Sequence, residues 1–313
     1  MKKKVFIDGK AGTTGLRIYD RLSGRDDIEM LTLSDSERKD VECRRKALNE
    51  ADIAFLCLPD AAAVESVSLV TDPDTVIIDT STAHRTADGW LYGFPELADN
   101  IAASLPSHKR IAVPGCHAGG FIALIYPLIE AGVLDRSAQL TCHSITGYSG
   151  GGKKMIAEYE SDELDHDLTA PRQYGLSQTH KHLKEMQAIT GLKFPPIFCP
   201  IVSDFYSGMV VTVPLFASQL RAGKTVGDIK KVYADKYTGP MVKYCESIDE
   251  QGFISAAHLS DRDDMQITVC GNDERILLIA RYDNLGKGAS GAAVECLNMV
   301  LGADITKGLD ILK

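Results

Sequence analysis

The chain has 313 residues, 44% of them hydrophobic and 25% charged, and its 34 Lys+Arg against 43 Asp+Glu give a formal charge of −9. That length predicts about two domains with separate cores, and the ordinary globular composition excludes a disordered, fibrous or coiled-coil protein. The acidic balance argues against nucleic acid as a partner, because no basic excess exists to neutralise phosphates.

Lys2, Lys3 and Lys4 flank a first strand at Val5–Ile7 rather than opening a signal peptide, since Asp8 ends the apolar stretch. A helix over Gly15–Leu22 follows, then strands at Ile28–Leu33, Asp52–Leu58, Thr75–Ile78 and Arg110–Val113. These runs are short, β-branched and continuous, as expected for strands buried on both faces of a parallel sheet. The uncharged run Gly119–Ile129 stops at Glu130, well short of the roughly 20 residues that span a bilayer, so no membrane association is expected. The eight cysteines form no CxxC pair and read mostly as buried reduced thiols of a cytoplasmic protein.

Beyond residue 116 the texture changes, dividing the chain into residues 1–115 and a second domain over 116–284. Longer strands are predicted at Gln139–Ile145, Gly208–Phe216, Met241–Glu246, Met265–Cys270 and Ile276–Tyr282, the last two joined by a hairpin turn at 271–275. Helices are predicted over 177–190, ended by Gly191, over 225–237, and over Gly288–Leu301. The fold class expected is α/β: a Rossmann-type parallel-sheet nucleotide domain, then an α+β catalytic domain with a mixed or antiparallel sheet. The large second sheet suggests homodimer or homotetramer contacts.

Gly9, Gly12 and Gly15 lie between the first strand and first helix with GxxGxxG spacing, a variant of the dinucleotide fingerprint. Glycines there admit a pyrophosphate, and Thr13 and Thr14 open the helix whose N-terminus would face it. At the end of the second strand, Ser34, Ser36 and Arg38 can hold a 2′-phosphate, whereas Asp35 can serve NAD; the balance favours NADP(H). Pro59, directly after the third strand, is placed with this cofactor group.

Cys116, in Pro114-Gly115-Cys116, falls between a strand and a helix, where the helix field favours a nucleophilic thiolate. His180 and His182 are candidates for its acid–base partner; Leu183 and Met186 mark a buried face that puts His180 inward and His182 outward. His-x-His with no third ligand close in sequence predicts no metal. Ser149, Gly150, Gly151 and Lys153 suit an anionic substrate group, and Arg85 can pair with phosphate or carboxylate. A dinucleotide site, a reactive thiol and a histidine together suggest reduction of an acyl phosphate to an aldehyde through a thioester.

Pro114-Gly115-Cys116, the Ser149-Gly-Gly-Gly loop, His180-Lys-His182-Leu-x-Glu-Met, Gly208-Met209-x-Val-Thr-Val and Asp283-Asn284-Leu285-Gly286-Lys287-Gly288 together resemble the N-acetyl-γ-glutamyl-phosphate reductase family in its shorter form. The resemblance runs nearly end to end. It implies NADPH-dependent reduction of N-acetyl-γ-glutamyl phosphate to the semialdehyde and phosphate in arginine biosynthesis, with Cys116 as nucleophile. It also implies that Asn284, Gly286 and Gly288 lie beside the nicotinamide, and that residues 285–313 return to complete the first domain. Two departures stand out: His117-Ala118 replaces the Tyr-Pro of the longer form, and Lys184 replaces the usual proline. The nearest alternative is another phosphorylating enzyme such as aspartate-semialdehyde dehydrogenase.

Overall fold

The structure, a computed structural model, describes residues 2–312. It divides into two compact units: residues 1–115 with Ala289–Leu309, and Cys116–Gly288 with Asp310 onward. Leu285–Gly288 therefore groups with the second unit.

In the first unit β1 (Lys3–Asp8), α1 (Thr13–Leu22), β2 (Ile28–Leu31), α2 (Val41–Glu50), β3 (Ile53–Leu56), α3 (Asp60–Leu69) and β4 (Val76–Asp79) alternate; β5 (Leu91–Tyr92), α4 (Asp99–Ser104) and β6 (Arg110–Ala112) follow. The six strands form one sheet in the order β2-β1-β3-β4-β6-β5, and every pairing is parallel. β3 and β4 are buried throughout, which is why they read as unbroken apolar runs. One face packs Val5, Ile7, Ile18, Leu22, Phe55 and Ile78 against Ala292, Ala293, Val294 and Leu297 from the end of the chain. Each fully buried large side chain there contributes roughly 1.5–3 kcal/mol.

The second unit contains α5 (Cys116–Glu130), β7 (Thr141–Gly147), α6 (Gly152–Tyr159), β8 (Arg172–Gln173), α7 (His182–Thr190), β9 (Ile197–Ser203) and β10 (Met209–Phe216). Then come α8 (Val226–Lys236), β11 (Val242–Tyr244), β12 (Met265–Gly271) and β13 (Arg275–Tyr282). Its seven-stranded sheet runs β11-β12-β13-β10-β7-β9-β8 and is mixed: β7–β9 and β11–β12 are parallel, the other pairs antiparallel. A π-helical turn at Gly286–Ser290 leads into α9 (Gly291–Leu301), which belongs to the first unit.

Several expectations need correction. The helix expected over 177–190 begins at His182, because Gln178 has φ +56° and breaks the helical phase; Gly191 does end it, in the left-handed conformation. The final helix starts at Gly291 after the π-helical turn, not at Gly288. Residues 148–154 are a 3₁₀ turn running into α6, rather than a loop. Pro127, which as a proline after the apolar run Phe121–Ile125 is expected to kink or end the helix, lies inside α5 without ending it. A proline cannot donate to the carbonyl four residues back, and Tyr237 O–H donates to that carbonyl, Ala123 O, at 2.6 Å instead. Strand β9 was not anticipated, since Pro200 in its middle reads as a breaker. Among the described residues no helix is long and apolar enough to cross a membrane.

Candidate active site

In the first unit the glycine turn has the backbone its spacing demands. Gly9 has φ +86°, and Gly12 N–H donates to Gly9 O at 2.9 Å. A Cβ on Gly15 would lie 2.5 Å from Gly9 O and 2.9 Å from Lys10 Cα, so only glycine lets α1 pack this closely on the turn. Gly12 is the N-cap of α1, and Thr13 and Thr14 are its first two residues. Their N–H groups lack intrahelical acceptors and suit an anion.

A cleft of about 370 Å³ opens at the carboxyl ends of β1, β2 and β3, lined by residues including Gly9, Lys10, Leu33, Asp35, Arg38 and Leu58. Arg38 Nη2 is 3.3 Å from Asp35 Oδ1, so both residues debated for the ribose contact stand at one wall. Ser34 and Ser36 lie outside the lining, with their hydroxyls 3.2 Å apart. Pro59 caps α3 at the same sheet edge. Within the lining, buried Asp8 accepts from Arg44 Nη2 at 3.0 Å and from Ser66 Oγ at 2.8 Å. This shape, with its glycine floor and basic side chain, fits the adenosine half of a dinucleotide.

Arg85 is also in the first unit. Its guanidinium donates to the carbonyls of Val113 and Thr80, both at 2.9 Å, and so braces the ends of two strand segments.

In the second unit Cys116 is the first residue of α5 and is partly exposed. Its backbone carbonyl is held by a phenol that is itself held in place. Tyr282 O–H donates to Cys116 O, while Gly120 N–H donates to the same phenol at 3.1 Å. A Cβ on Gly288 would sit 3.1 Å from Cys116 Cβ, so the turn after β13 closes directly on the cysteine. That turn is folded by Asp283, which is fully buried. One carboxylate oxygen accepts from the N–H groups of Leu285 (2.6 Å) and Gly286 (2.9 Å), and the other from Ser207 Oγ (2.7 Å) and Asp261 N–H (2.6 Å).

Asn284 is engaged inside this unit: its amide accepts from Gly208 N–H at 2.9 Å and donates to Ser149 Oγ at 3.0 Å. It thus ties the 283–288 turn to the Ser149 loop. In that loop the amides of Tyr148, Ser149 and Gly152 donate to the carbonyls of Phe205, Tyr206 and Ser149. The expected anion cradle of successive amides is therefore narrowed to Gly150 and Gly151, with Lys153 exposed on α6.

The histidines depart from expectation. His182, expected outward, is 5% exposed, and His180 is only half-buried. His180 stands before the helix, and its Nδ1 accepts from His182 N–H at 3.2 Å. Their ring centroids are 4.8 Å apart, and both approach His117, at 6.0 Å and 5.5 Å. Burial, with Lys181 nearby, lowers the His180 pKa.

Sequence reasoning missed the side chains that surround the cysteine. His117 is buried, with Nδ1 2.6 Å from Ser144 Oγ and Nε2 2.7 Å from Tyr174 Oη. Burial, then the His180 ring, lowers its pKa from 6.5 to about 3. His117 was legible as the neighbour of Cys116, but nothing local marked Ser144, Tyr174 or Tyr282.

The family model described as the semialdehyde dehydrogenase NAD binding domain matches residues 4–104, and the one described as the semialdehyde dehydrogenase dimerisation domain matches 116–284. Among curated proteins, N-acetyl-gamma-glutamyl-phosphate reductase 2 of Nostoc sp. is 44% identical, covering 98% of this chain and 99% of its own. The N-acetyl-gamma-glutamyl-phosphate reductase of Sinorhizobium medicae is 43% identical, covering 97% and 100%. Among solved structures, aspartate semialdehyde dehydrogenase II from Vibrio cholerae aligns with a TM-score of 0.74 over 96% of this chain and 99% of its own, at 15% identity. The NADP complex of the Candida albicans aspartate semialdehyde dehydrogenase gives 0.63 over 97% and 99%, also at 15% identity. These two structures bear on the fold. With a glycine-turn nucleotide unit, a second mixed-sheet unit headed by a cysteine, and 43–44% identity along almost the whole chain, this protein belongs to the N-acetyl-γ-glutamyl-phosphate reductase family of semialdehyde dehydrogenases.

Proposed function

We propose that the chain reduces N-acetyl-γ-glutamyl phosphate to N-acetylglutamate semialdehyde and inorganic phosphate, with NADPH as reductant, in arginine biosynthesis in the cytoplasm. The observation that carries the reading is the full-length identity to reductases of that name, joined to a partly exposed cysteine clamped at the head of a helix. Aspartate-semialdehyde dehydrogenase is a neighbour in fold at 15% identity, so the shorter acyl phosphate is not retained as substrate.

When bound, the dinucleotide supplies a hydride. Gly9, Gly12, Thr13, Thr14 and Gly15 would hold its pyrophosphate, and Arg38 in the cleft wall, with Ser34 and Ser36 just outside it, would meet the 2′-phosphate. Cys116 attacks the acyl carbon as thiolate, the C–S bond forms, and phosphate leaves with the electron pair of the C–O bond. The resulting thioester accepts the hydride, and the hemithioacetal on Cys116 collapses to aldehyde and thiolate. One proton per turnover must reach the oxygen that becomes the hemithioacetal hydroxyl, and collapse returns it. We assign that exchange to His182. The Nδ1 of His180 accepts a backbone N–H, which fixes the neutral ring's proton on Nε2 and opposes an imidazolium, leaving His180 to orient its neighbour. The anionic substrate is met by Gly150, Gly151 and Lys153, with Ser149 holding their loop; Arg85 braces the first unit instead. Asn284, Gly286 and Gly288 form the turn that closes on Cys116.

The family model over 116–284 is a dimerisation domain. Ile145, Ile197, Phe216 and Leu277 are exposed, and the strand register puts them on one face of the second sheet. This favours a homodimer, or a homotetramer built from such dimers.

The test is phosphate-dependent reduction of NADP⁺ with N-acetylglutamate semialdehyde and with aspartate semialdehyde, for the parent and Cys116→Ala. Turnover with the acetylated substrate alone, lost in Cys116→Ala while NADPH still raises the melting temperature, is expected. Turnover that survives in Cys116→Ala would remove the thioester route, and preference for aspartate semialdehyde would change the substrate.

A further inference from the structure

The approach to α7 is held by a residue with no part in the chemistry above. Strand β8 covers the outer edge of β9 only at Val202 and Ile201, and Tyr174 N–H adds one more bond, to Pro200 O at 3.0 Å. Beyond Pro200, which has no N–H to offer, the backbone of Phe198 still presents a donor and an acceptor. The side chain of Gln178 meets both. Its Nε2 donates to Phe198 O at 2.7 Å, and its Oε1 accepts from Phe198 N–H at 2.9 Å. One side-chain amide thus stands in for a strand residue on the open edge.

The backbone of Gln178 is as particular as its side chain. Its φ of +56° lies in the left-handed region, and its N–H donates to Gly175 O at 3.0 Å, closing a turn over residues 175–178. A residue with a Cβ keeps that conformation where its surroundings over-determine it, as the two bonds to Phe198 do here. Two residues later stands His180, whose carbonyl accepts from Leu183 N–H at 3.0 Å and whose Nδ1 accepts from His182 N–H at 3.2 Å. Phe198 is 1% exposed, and its ring meets the same histidine. Ring centroids lie 5.2 Å from His180 and 5.3 Å from His117, both edge to face. The residue that Gln178 grips is therefore the wall against which His180 rests.

On the reading of His180 and His182 as the acid–base pair, we infer that Gln178 is their positioning residue: its clamp on Phe198 and its left-handed turn fix where His180 stands, and through His180 Nδ1 they fix the backbone of His182. The titratable groups facing His180 are His117 on α5, His182 at the head of α7, Lys181 between the two histidines, and Tyr174 after β8, 6.0 Å away between ring centroids. Without the clamp the 175–181 segment can lift from β9 and admit water to a ring whose pKa burial now lowers.

The experiment is carbethoxylation by diethyl pyrocarbonate as a function of pH, read by mass spectrometry on the two tryptic peptides that cleavage at Lys181 separates, in the parent, Gln178→Gly and Gln178→Asn. Glycine adopts the left-handed turn freely but has no amide, and asparagine keeps the amide one methylene short of Phe198. In both variants His180 is expected to react roughly threefold to tenfold faster, as the segment opens. Its midpoint should rise toward the ordinary 6.5 by about half a pH unit. Steady-state assays should show kcat roughly fivefold to tenfold lower, with KM changed less than about twofold. A His180 rate and midpoint that superimpose on the parent's overturn the inference. If Gln178→Gly does not fold, Gln178→Asn decides alone. Altered His180 reactivity with unchanged kcat overturns the acid–base reading of the pair. Carbethoxylation needs no acyl phosphate, so a wrong substrate in the proposed function leaves this readout intact.

Discussion

Gly288 lies against Cys116 so closely that a methyl group at 288 would stand 3.1 Å from Cys116 Cβ and 3.0 Å from Asp283 O. The π-helical turn that carries Gly288 is held by Asp283, so it cannot retreat without breaking buried hydrogen bonds. Gly288→Ala is therefore expected to displace the cysteine rather than the turn. Steady-state kinetics should show kcat falling roughly tenfold or more, on the order of 1.4 kcal/mol, with the melting temperature little changed. Unchanged kcat would mean that the contact relaxes without moving the sulfur.

Gly15→Ala tests the nucleotide turn. Its Cβ would press on Gly9 O and Lys10 Cα, which are backbone atoms with no rotamer to adopt. The expected outcome is loss of the NADPH-induced thermal shift and a stability loss of roughly 1–3 kcal/mol. Calorimetric titration with NADPH checks the first, and urea unfolding the second.

Arg38 and Asp35 share one wall of the cleft, with 3.3 Å between guanidinium and carboxylate. Arg38→Ala should raise KM for NADPH by roughly tenfold through loss of a charge-assisted contact to the 2′-phosphate, with KM for NADH nearly constant. Equal effects on the two cofactors would show that Arg38 does not read the phosphate.

His117 makes stability pH-dependent in a definite direction. Its pKa falls from an ordinary 6.5 to about 3 on folding. The unfolded chain therefore binds a proton below 6.5 that the folded chain refuses until about 3. Stability is fully present above the unfolded value and declines as pH drops through this window, by up to about 1.4 kcal/mol per pH unit. The buried half of His180 adds in the same direction. Urea midpoints between pH 7 and 4 should fall less steeply in His117→Gln, which has no ring to titrate; parallel slopes would exclude the contribution.

Much of the fold was legible because its signals are local. Val5–Ile7, Ala54–Leu56 and Ile77–Ile78 are continuous apolar runs, and strands buried on both faces need nothing else to be recognised. Cys116 at the head of α5 was legible from its proline–glycine approach and the apolar helix after it. The histidine pair was not, since one left-handed residue, Gln178, shifts the helix start and reverses which ring is inward. Strand β9 was hidden by Pro200, and the Ser144–His117–Tyr174 chain joins residues 27 and 57 positions apart, a proximity that only the folded sheet creates.

The nucleotide-binding unit is assembled from two stretches separated by the whole of residues 116–288, with α9 buried against β1, α1 and β4 of the same core. During synthesis this unit must wait, with part of its apolar face uncovered, until α9 has been made, while the seven-stranded sheet of the second unit is already whole. Emergence of α9, rather than of the first domain, then becomes the moment at which the protein acquires affinity for its reductant.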